Sequence, residues 1–229
     1  MSDGLPDEIR NFAVVGTDTG VGKTVVTAGL VGWLRNGGRD ARAVKPCQTG
    51  YPPDDDAGYV ADACDDSAGA TCLRRLEPAL APAVAARQAD ETLRYGAILD
   101  GCREALAETE VGVVEGIGGL RVPLADGNEV VDLVADLAVP AVVVARSGLG
   151  TLNHTALTVE ALRRRGVTVH GIVFNEYQAA TVAERTNPGV LTTMTDCPVW
   201  TLPALDVDQP ERVPPALAAE LPASVFPSA

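Results

Sequence analysis

Only two lysines, Lys23 and Lys45, stand beside 16 arginines in this chain of 229 residues, and both sit where phosphate could be handled. A composition that replaces lysine wherever arginine serves keeps it where a compact ammonium fits and a planar guanidinium does not. Lys23 lies in the segment Gly16–Thr24, GTDTGVGKT. The successive backbone N–H groups of such a glycine-rich loop, with the start of the helix it opens, cradle an anion. Lys23 then reaches the β- and γ-phosphates of a nucleotide, and the Thr24 hydroxyl faces Mg2+. The common form of this phosphate loop has four residues between its outer glycines. Here five separate Gly16 from Gly22, so the loop is a longer variant.

Lys45 ends an apolar run and precedes Pro46, which lacks a ladder donor and stops the strand. That puts Lys45 at a carboxyl end of the sheet, where open α/β proteins bind ligands. A second cation there suits the charge on a transferring phosphoryl group. Glu115 ends another buried run and is followed by the glycine-rich stretch Gly116, Ile117, Gly118, Gly119. It is a carboxylate for Mg2+, an ion that takes few protein ligands and completes its shell with phosphate and water. The run Asp54, Asp55, Asp56 offers a further carboxylate. No Ser–His–Asp set is evident.

The elements that must position these groups are short apolar strands, each followed by a helical pattern. Strands are expected at Asn11–Gly16, Ala41–Lys45, Val111–Glu115, Val139–Ala145, Val167–Asn175 and Pro198–Leu202. Helices are expected at Lys23–Arg35, Ala57–Cys64, Glu91–Glu108, Val130–Ala138, Leu152–Arg165 and Val182–Thr192. Continuous apolar runs, rather than alternating ones, mean burial on both faces, as in a parallel sheet covered by helices. The chain therefore reads as α/β, a single-domain P-loop fold with a mostly parallel, helix-flanked sheet. Residues 1–10 and about 207–229 are expected at its periphery, the Pro- and Ala-rich tail at best partly ordered.

Bulk composition narrows the partners. A net charge of −13 argues against nucleic acid, whose phosphates demand basic surface. No apolar stretch approaches membrane-spanning length, and the N-terminus MSDGLPDEIR lacks a secretory apolar core, so a cytoplasmic protein is expected. Five scattered cysteines form no CxxC pair, which predicts reduced thiols and no zinc. Acidic residues outnumber basic ones 31 to 18, a balance suited to a salt-rich cytoplasm.

Taken in order, the segments resemble the dethiobiotin synthetase family. GTDTGVGKT, with its extra residue, looks like that family's phosphate loop, and Lys45–Gly50 (KPCQTG) like its KPxxxG segment. Val114–Gly119 (VEGIGG) resembles its VEGAGG turn, and Gly148–Thr158 (GLGTLNHTALT) its LGTxNHTLLT helix start. Ile172–Asn175 resembles its VxN segment and Leu202–Pro203 its final IP, so the likeness runs over about residues 12–206. It implies ATP-dependent closure of a ureido ring on 7,8-diaminononanoate with CO2 (or bicarbonate), giving dethiobiotin, ADP and phosphate.

The resemblance also implies roles. Lys45 and Lys23 would be catalytic, with Lys45 on the carbamate and γ-phosphate. ATP would be held by Gly20, Val21, Gly22, Lys23, Thr24 and Val25, by Asp56 and Glu115 through the metal, and by Gly116, Ile117 and Gly118. Asn175 would read the adenine, with Pro203 packing nearby. Thr24, Asp56 and Glu115 would bind Mg2+, with Asp55 as the alternative to Asp56. Thr19 and Thr49 would meet the substrate. Gly150, Thr151 and Asn153, at a helix start, would hold the substrate's distant carboxylate from a partner subunit, which implies a homodimer. Competing readings on the same fold are a regulatory ATPase of the septum-positioning or plasmid-partition kind and a catalytically silent homologue. A cobyrinate-type amidase is a further one. A switch of the septum-positioning kind carries a lysine early in the loop, where this chain has Thr17, Asp18 and Thr19.

Overall fold

The computed structural model describes residues 4–228. The chain runs β1 (Phe12–Gly16), α1 (Lys23–Asn36), β2 (Ala41–Lys45), β3 (Gln48–Thr49), α2 (Asp56–Ala63), β4 (Ala70–Cys72) and β5 (Arg75–Leu76). It continues through α3 (Pro82–Gln88), α4 (Tyr95–Ala107), β6 (Val111–Gly119), β7 (Pro123–Ala125), β8 (Asn128–Glu129) and α5 (Val130–Leu137). It ends with β9 (Ala141–Arg146), α6 (Thr151–Arg164), β10 (Val169–Asn175), α7 (Val182–Thr195), β11 (Val199–Thr201) and α8 (Val213–Glu220).

Seven strands form one sheet in the order β11-β10-β9-β1-β6-β2-β4, and every ladder in it is parallel. Alternation along β1 divides the core. Phe12 and Val14 pack with α1, α2 and α8, while Ala13 and Val15 face the cluster that includes Ile98, Leu133 and Leu162. The expected α/β architecture is thus present, with its strand-to-helix loops at the carboxyl edge. Short pairs, β3 with β5 and β7 with β8, decorate that edge.

Three expectations need correction. β6 does not end at Glu115 in a tight turn. The strand runs to Gly119 with Gly118 in a left-handed conformation (φ 56°), and the register shifts between Val14 and Gly16 of the neighbouring β1. Helix α4 starts at Tyr95, not Glu91, because Asp90 takes a left-handed conformation (φ 53°) and Arg94 is extended at the N-cap. The tail is neither loosely ordered nor peripheral. Val213, Leu217, Val225 and Phe226 are buried, and the Phe226 ring meets Trp33 edge-on at 5.0 Å.

Candidate functional site

The turn from β1 into α1 is shaped by its glycines. A Cβ on Gly16 would meet Val21, Asp18 and Lys23 at 2.9–3.0 Å, so the loop can fold back over its own strand only with glycine there. Gly22 sits at φ 94° as the N-cap of α1, and a Cβ on it would lie 2.0 Å from the Asn175 side-chain nitrogen. Asn175, at the end of β10, donates to the Val21 carbonyl at 3.2 Å and so braces the loop from beneath. Lys23 lies over the loop with its Nζ 3.0 Å from the Asp18 carbonyl. Thr24 begins α1 with its hydroxyl donating to Glu115 Oε1 at 2.9 Å.

Lys45 completes the cluster from β2. It is 4% exposed, and its Nζ donates to Glu115 Oε1 at 2.8 Å, to Asp56 Oδ2, and to the Gly116 carbonyl at 3.3 Å. Glu115 is 1% exposed, which excludes a solvated strand-end acid. The two aspartates differ in geometry. Asp55 caps α2 by accepting from the Gly58 amide at 3.1 Å, while Asp56 points at Lys45. Gln48, which sequence reasoning passed over, fixes Asp56: its Oε1 accepts from the Asp56 amide at 3.1 Å. Its place two residues after Pro46 in the KPCQTG segment was the available signal.

The electrostatics follow from this packing. Burial pushes Lys23 below the usual lysine range, helped by the neighbouring Lys45 charge. Burial would lower Lys45 too, but the Glu115 and Asp56 charges outweigh it and hold the ammonium above that range. Burial raises Glu115 despite the Lys45 charge, whereas Lys45 overcomes burial at Asp56 and holds it low. The cluster therefore carries a firm ammonium between two carboxylates.

A cleft of about 690 Å³ opens over these groups. Thr19, Gly20, Gly22, Lys23, Thr24, Val25, Lys45, Thr49, Asp56, Ile117, Gly118 and Asn175 all line it. Glu115 and the Gly116 carbonyl lie beneath, touched by Lys45. Val21 faces a smaller neighbouring recess that also includes Thr151. Pro203 is not on the cleft wall; Ala204, Leu205 and Val207, just after it, are. Gly150 and Asn153 do not reach the cleft. They lie exposed at the start of α6, with Gly150 in a left-handed N-cap conformation (φ 90°). Arg146, also absent from the sequence reading, ends β9 and donates to the Thr19 carbonyl at 3.2 Å. Cys47 lines the cleft, but burial pushes its thiol up to about 12, so it is no nucleophile.

Thr24, Asp56 and Glu115 present hard oxygen donors at one point, a set that fits Mg2+ bound chiefly through phosphates and one or two carboxylates. Among the described residues no group of three or more His, Cys, Asp or Glu could hold a metal, so a dedicated all-protein cage is not built here.

Fold and loop together define a P-loop nucleotide-binding protein. A family model described as an AAA domain matches residues 10–206. The ATP-dependent dethiobiotin synthetase BioD of Haloferax mediterranei is 66% identical, covering 93% of this chain and 92% of that protein. The protein of the same name from Bacillus velezensis is 34% identical over 95% and 97% of the two chains. This chain belongs to the ATP-dependent dethiobiotin synthetase family. Among solved structures, the cell division ATPase MinD of Pyrococcus furiosus aligns over 94% of this chain and 96% of its own, with a TM-score of 0.59 at 16% identity. That likeness concerns the fold alone. No helix among the described residues is long and apolar enough to cross a membrane, and all five thiols are free.

Proposed function

We infer that this cleft makes dethiobiotin, using ATP to close a ureido ring on 7,8-diaminononanoate with CO2, a step of biotin biosynthesis. The observation that carries the residue assignment is the meeting of Lys23, Lys45, Thr24, Asp56 and Glu115 at one end of the cleft. In this reading the loop amides from Gly20 to Val25 and Lys23 hold the ATP phosphates. Mg2+ on Thr24, Asp56 and Glu115 would neutralise the β- and γ-phosphate oxygens. In the same reading Asn175, which lines the cleft together with Leu205 and Val207, would read the adenine.

The chain's own contribution is placement and charge. An amine of the substrate takes up CO2 as a carbamate. Phosphorylation of that carbamate lets the second amine attack its carbon and expel phosphate. Lys45 offers its ammonium to the carbamate oxygens and the incoming γ-phosphate, where negative charge accumulates. Thr19 and Thr49 line the same space and orient the diamine. Holding both reactants in line removes much of the barrier without a covalent nucleophile.

The homodimer belongs to the same proposal. Gly150, Thr151 and Asn153 start a 14-residue helix, α6, away from the cleft of their own chain. A helix N-terminus suits a carboxylate. Beside it Leu149 is 96% exposed and Leu157 56% exposed, apolar surface suited to contact with a second copy. The deciding experiment is phosphate release from Mg-ATP and bicarbonate, with and without 7,8-diaminononanoate, for wild type and Lys45→Ala. Diamine-dependent release, with dethiobiotin seen by mass spectrometry and lost in the variant, is the expected result. Release indifferent to the diamine would instead indicate a regulatory ATPase.

A further inference from the structure

The groups assigned to Mg2+ are already bound to a cation of the chain itself. Lys45 Nζ lies 2.8 Å from Glu115 Oε1, bonds Asp56 Oδ2, and is 3.3 Å from the Gly116 carbonyl. The same Glu115 oxygen accepts from Thr24 at 2.9 Å. One carboxylate oxygen thus serves both the ammonium and the threonine hydroxyl, so all three assigned ligands are engaged within one closed network.

We propose that Lys45 is a placeholder for magnesium: metal loading expels its ammonium from the carboxylates and turns it toward the substrate. The proposal rests on the metal and lysine assignments above. Two arguments support it. First, Mg2+ requires its oxygen ligands at about 2.0–2.1 Å in near-octahedral array. A metal on Glu115 and Asp56 would stand directly against the ammonium, and like charges at that range repel strongly. Second, the ammonium has somewhere to go. Lys45 lines the cleft together with Thr19, Lys23 and Thr49, where the γ-phosphate and carbamate are assigned. Without metal the lysine quiets the buried Glu115 and the partly exposed Asp56. With metal it faces the reacting oxygens. Phosphate transfer is thereby tied to a fully loaded site, and ATP without Mg2+ leaves the lysine withdrawn.

The two-lysine composition makes this testable without turnover. Protein labelled with carbon-13 at lysine Cε gives two side-chain resonances, from Lys23 and Lys45. A single Lys45→Arg or Lys23→Arg sample assigns both, so one folded variant is enough. ADP with EDTA is added first, then Mg2+. The proposal expects the Lys23 signal to move with ADP, and the Lys45 signal to stay until Mg2+ arrives. A Lys45 signal that moves with metal-free ADP, or that ignores Mg2+ in the presence of ADP, overturns it. In a second arm Mn2+ is titrated into nucleotide-free protein by electron paramagnetic resonance. Lys45→Met is expected to bind Mn2+ at least tenfold more tightly than wild type, and equal or weaker binding counts against the placeholder. Diamine-dependent phosphate release in the same preparation separates failure of this inference from failure of the functional assignment.

Discussion

Replacing Lys45 by Met tests the charge network as a structural unit, independently of catalysis. The side chain is 5% exposed and faces Glu115 at 2% and Asp56 at 29%. Methionine fills similar volume but leaves the buried Glu115 and the partly exposed Asp56 without a cation. Breaking a buried pair in this way costs about 3–5 kcal/mol, and the partial exposure of Asp56 favours the lower end. At 2–4 °C per kcal/mol for a domain of this size, a cost of about 3 kcal/mol lowers Tm by roughly 6–12 °C near neutral pH. The sign of the pH dependence is specific. In wild type Asp56 is held low, so its contribution is present above its unfolded pKa and is lost as pH falls through the folded one. Lys45 is held high, so its contribution is complete below the usual lysine range and fades only as pH rises above it. In wild type burial already raises Glu115; in the variant the ammonium is gone, so burial with mutual repulsion raises Glu115 further and raises Asp56 as well. A raised carboxylate costs stability above its unfolded pKa, and the cost disappears as pH falls below it. The Tm gap between variant and wild type should therefore be widest near pH 7–8 and close toward about pH 4. Thermal melts across that range, without nucleotide or metal, measure it. A gap that is absent, or constant with pH, would refute the reasoning.

Other expectations follow from separate parts of the molecule. Phe226→Ala removes a ring packed edge-on against Phe12 and Trp33 and should cost about 3–5 kcal/mol in urea unfolding; a change below about 1 kcal/mol would mean that the tail does not hold the core. Gly22→Ala places a Cβ into the Asn175 amide at a left-handed position, so ATP affinity should fall at least tenfold by calorimetry while the far-ultraviolet circular dichroism is retained. The acid-rich surface predicts that Tm rises with KCl concentration; a flat or falling profile removes the case for a salt-adapted protein. Leu149→Glu should shift the sedimentation mass of a dimer toward the monomer, and an unchanged dimer would place the interface elsewhere.

What could be read beforehand divides along physical lines. The phosphate loop and Lys45 were legible because backbone geometry and scarce chemistry leave few alternatives: glycines where a Cβ collides, and two lysines among 16 arginines. The buried parallel strands were legible from uninterrupted apolar runs. The aspartate choice was not, because Asp55 and Asp56 differ only in which turns toward β2, and that depends on Gln48 and the frame of α2. The tail was hidden for a different reason. Its Pro- and Ala-rich composition has little periodicity, and its anchor lies elsewhere, in α1. A Cβ on Gly29 would meet Leu217 at 2.4 Å, and one on Gly32 would meet Pro214 at 2.3 Å. Two glycines three apart on a buried helix, weak points by propensity alone, are the seat of α8. That relation appears only when 182 to 188 residues of separation (Gly32 to Pro214, Gly29 to Leu217) are folded away.

The order of the sheet then explains why this fold can carry this chemistry. In β1-β6-β2, the strand bearing Glu115 lies between the strand that feeds the phosphate loop and the strand that ends in Lys45. Neighbouring strands are about 4.8 Å apart, so β1 and β2 run roughly 10 Å from each other, and Glu115 on the strand between them is reached by Thr24 from one side and by Lys45 from the other. Under the proposed assignment, a terminal phosphoryl group would be held by the loop on one side and an acceptor steadied by the lysine on the other. A shared sheet does not imply a shared reaction, and the likeness to the division ATPase at 16% identity concerns the fold alone. In the proposed assignment the β1 loop and the β6 acid serve the nucleotide, and transfer to a carbamate would draw in addition on a cation at the end of β2, facing the loop across that acid. This chain, which elsewhere uses arginine almost without exception, keeps a lysine there.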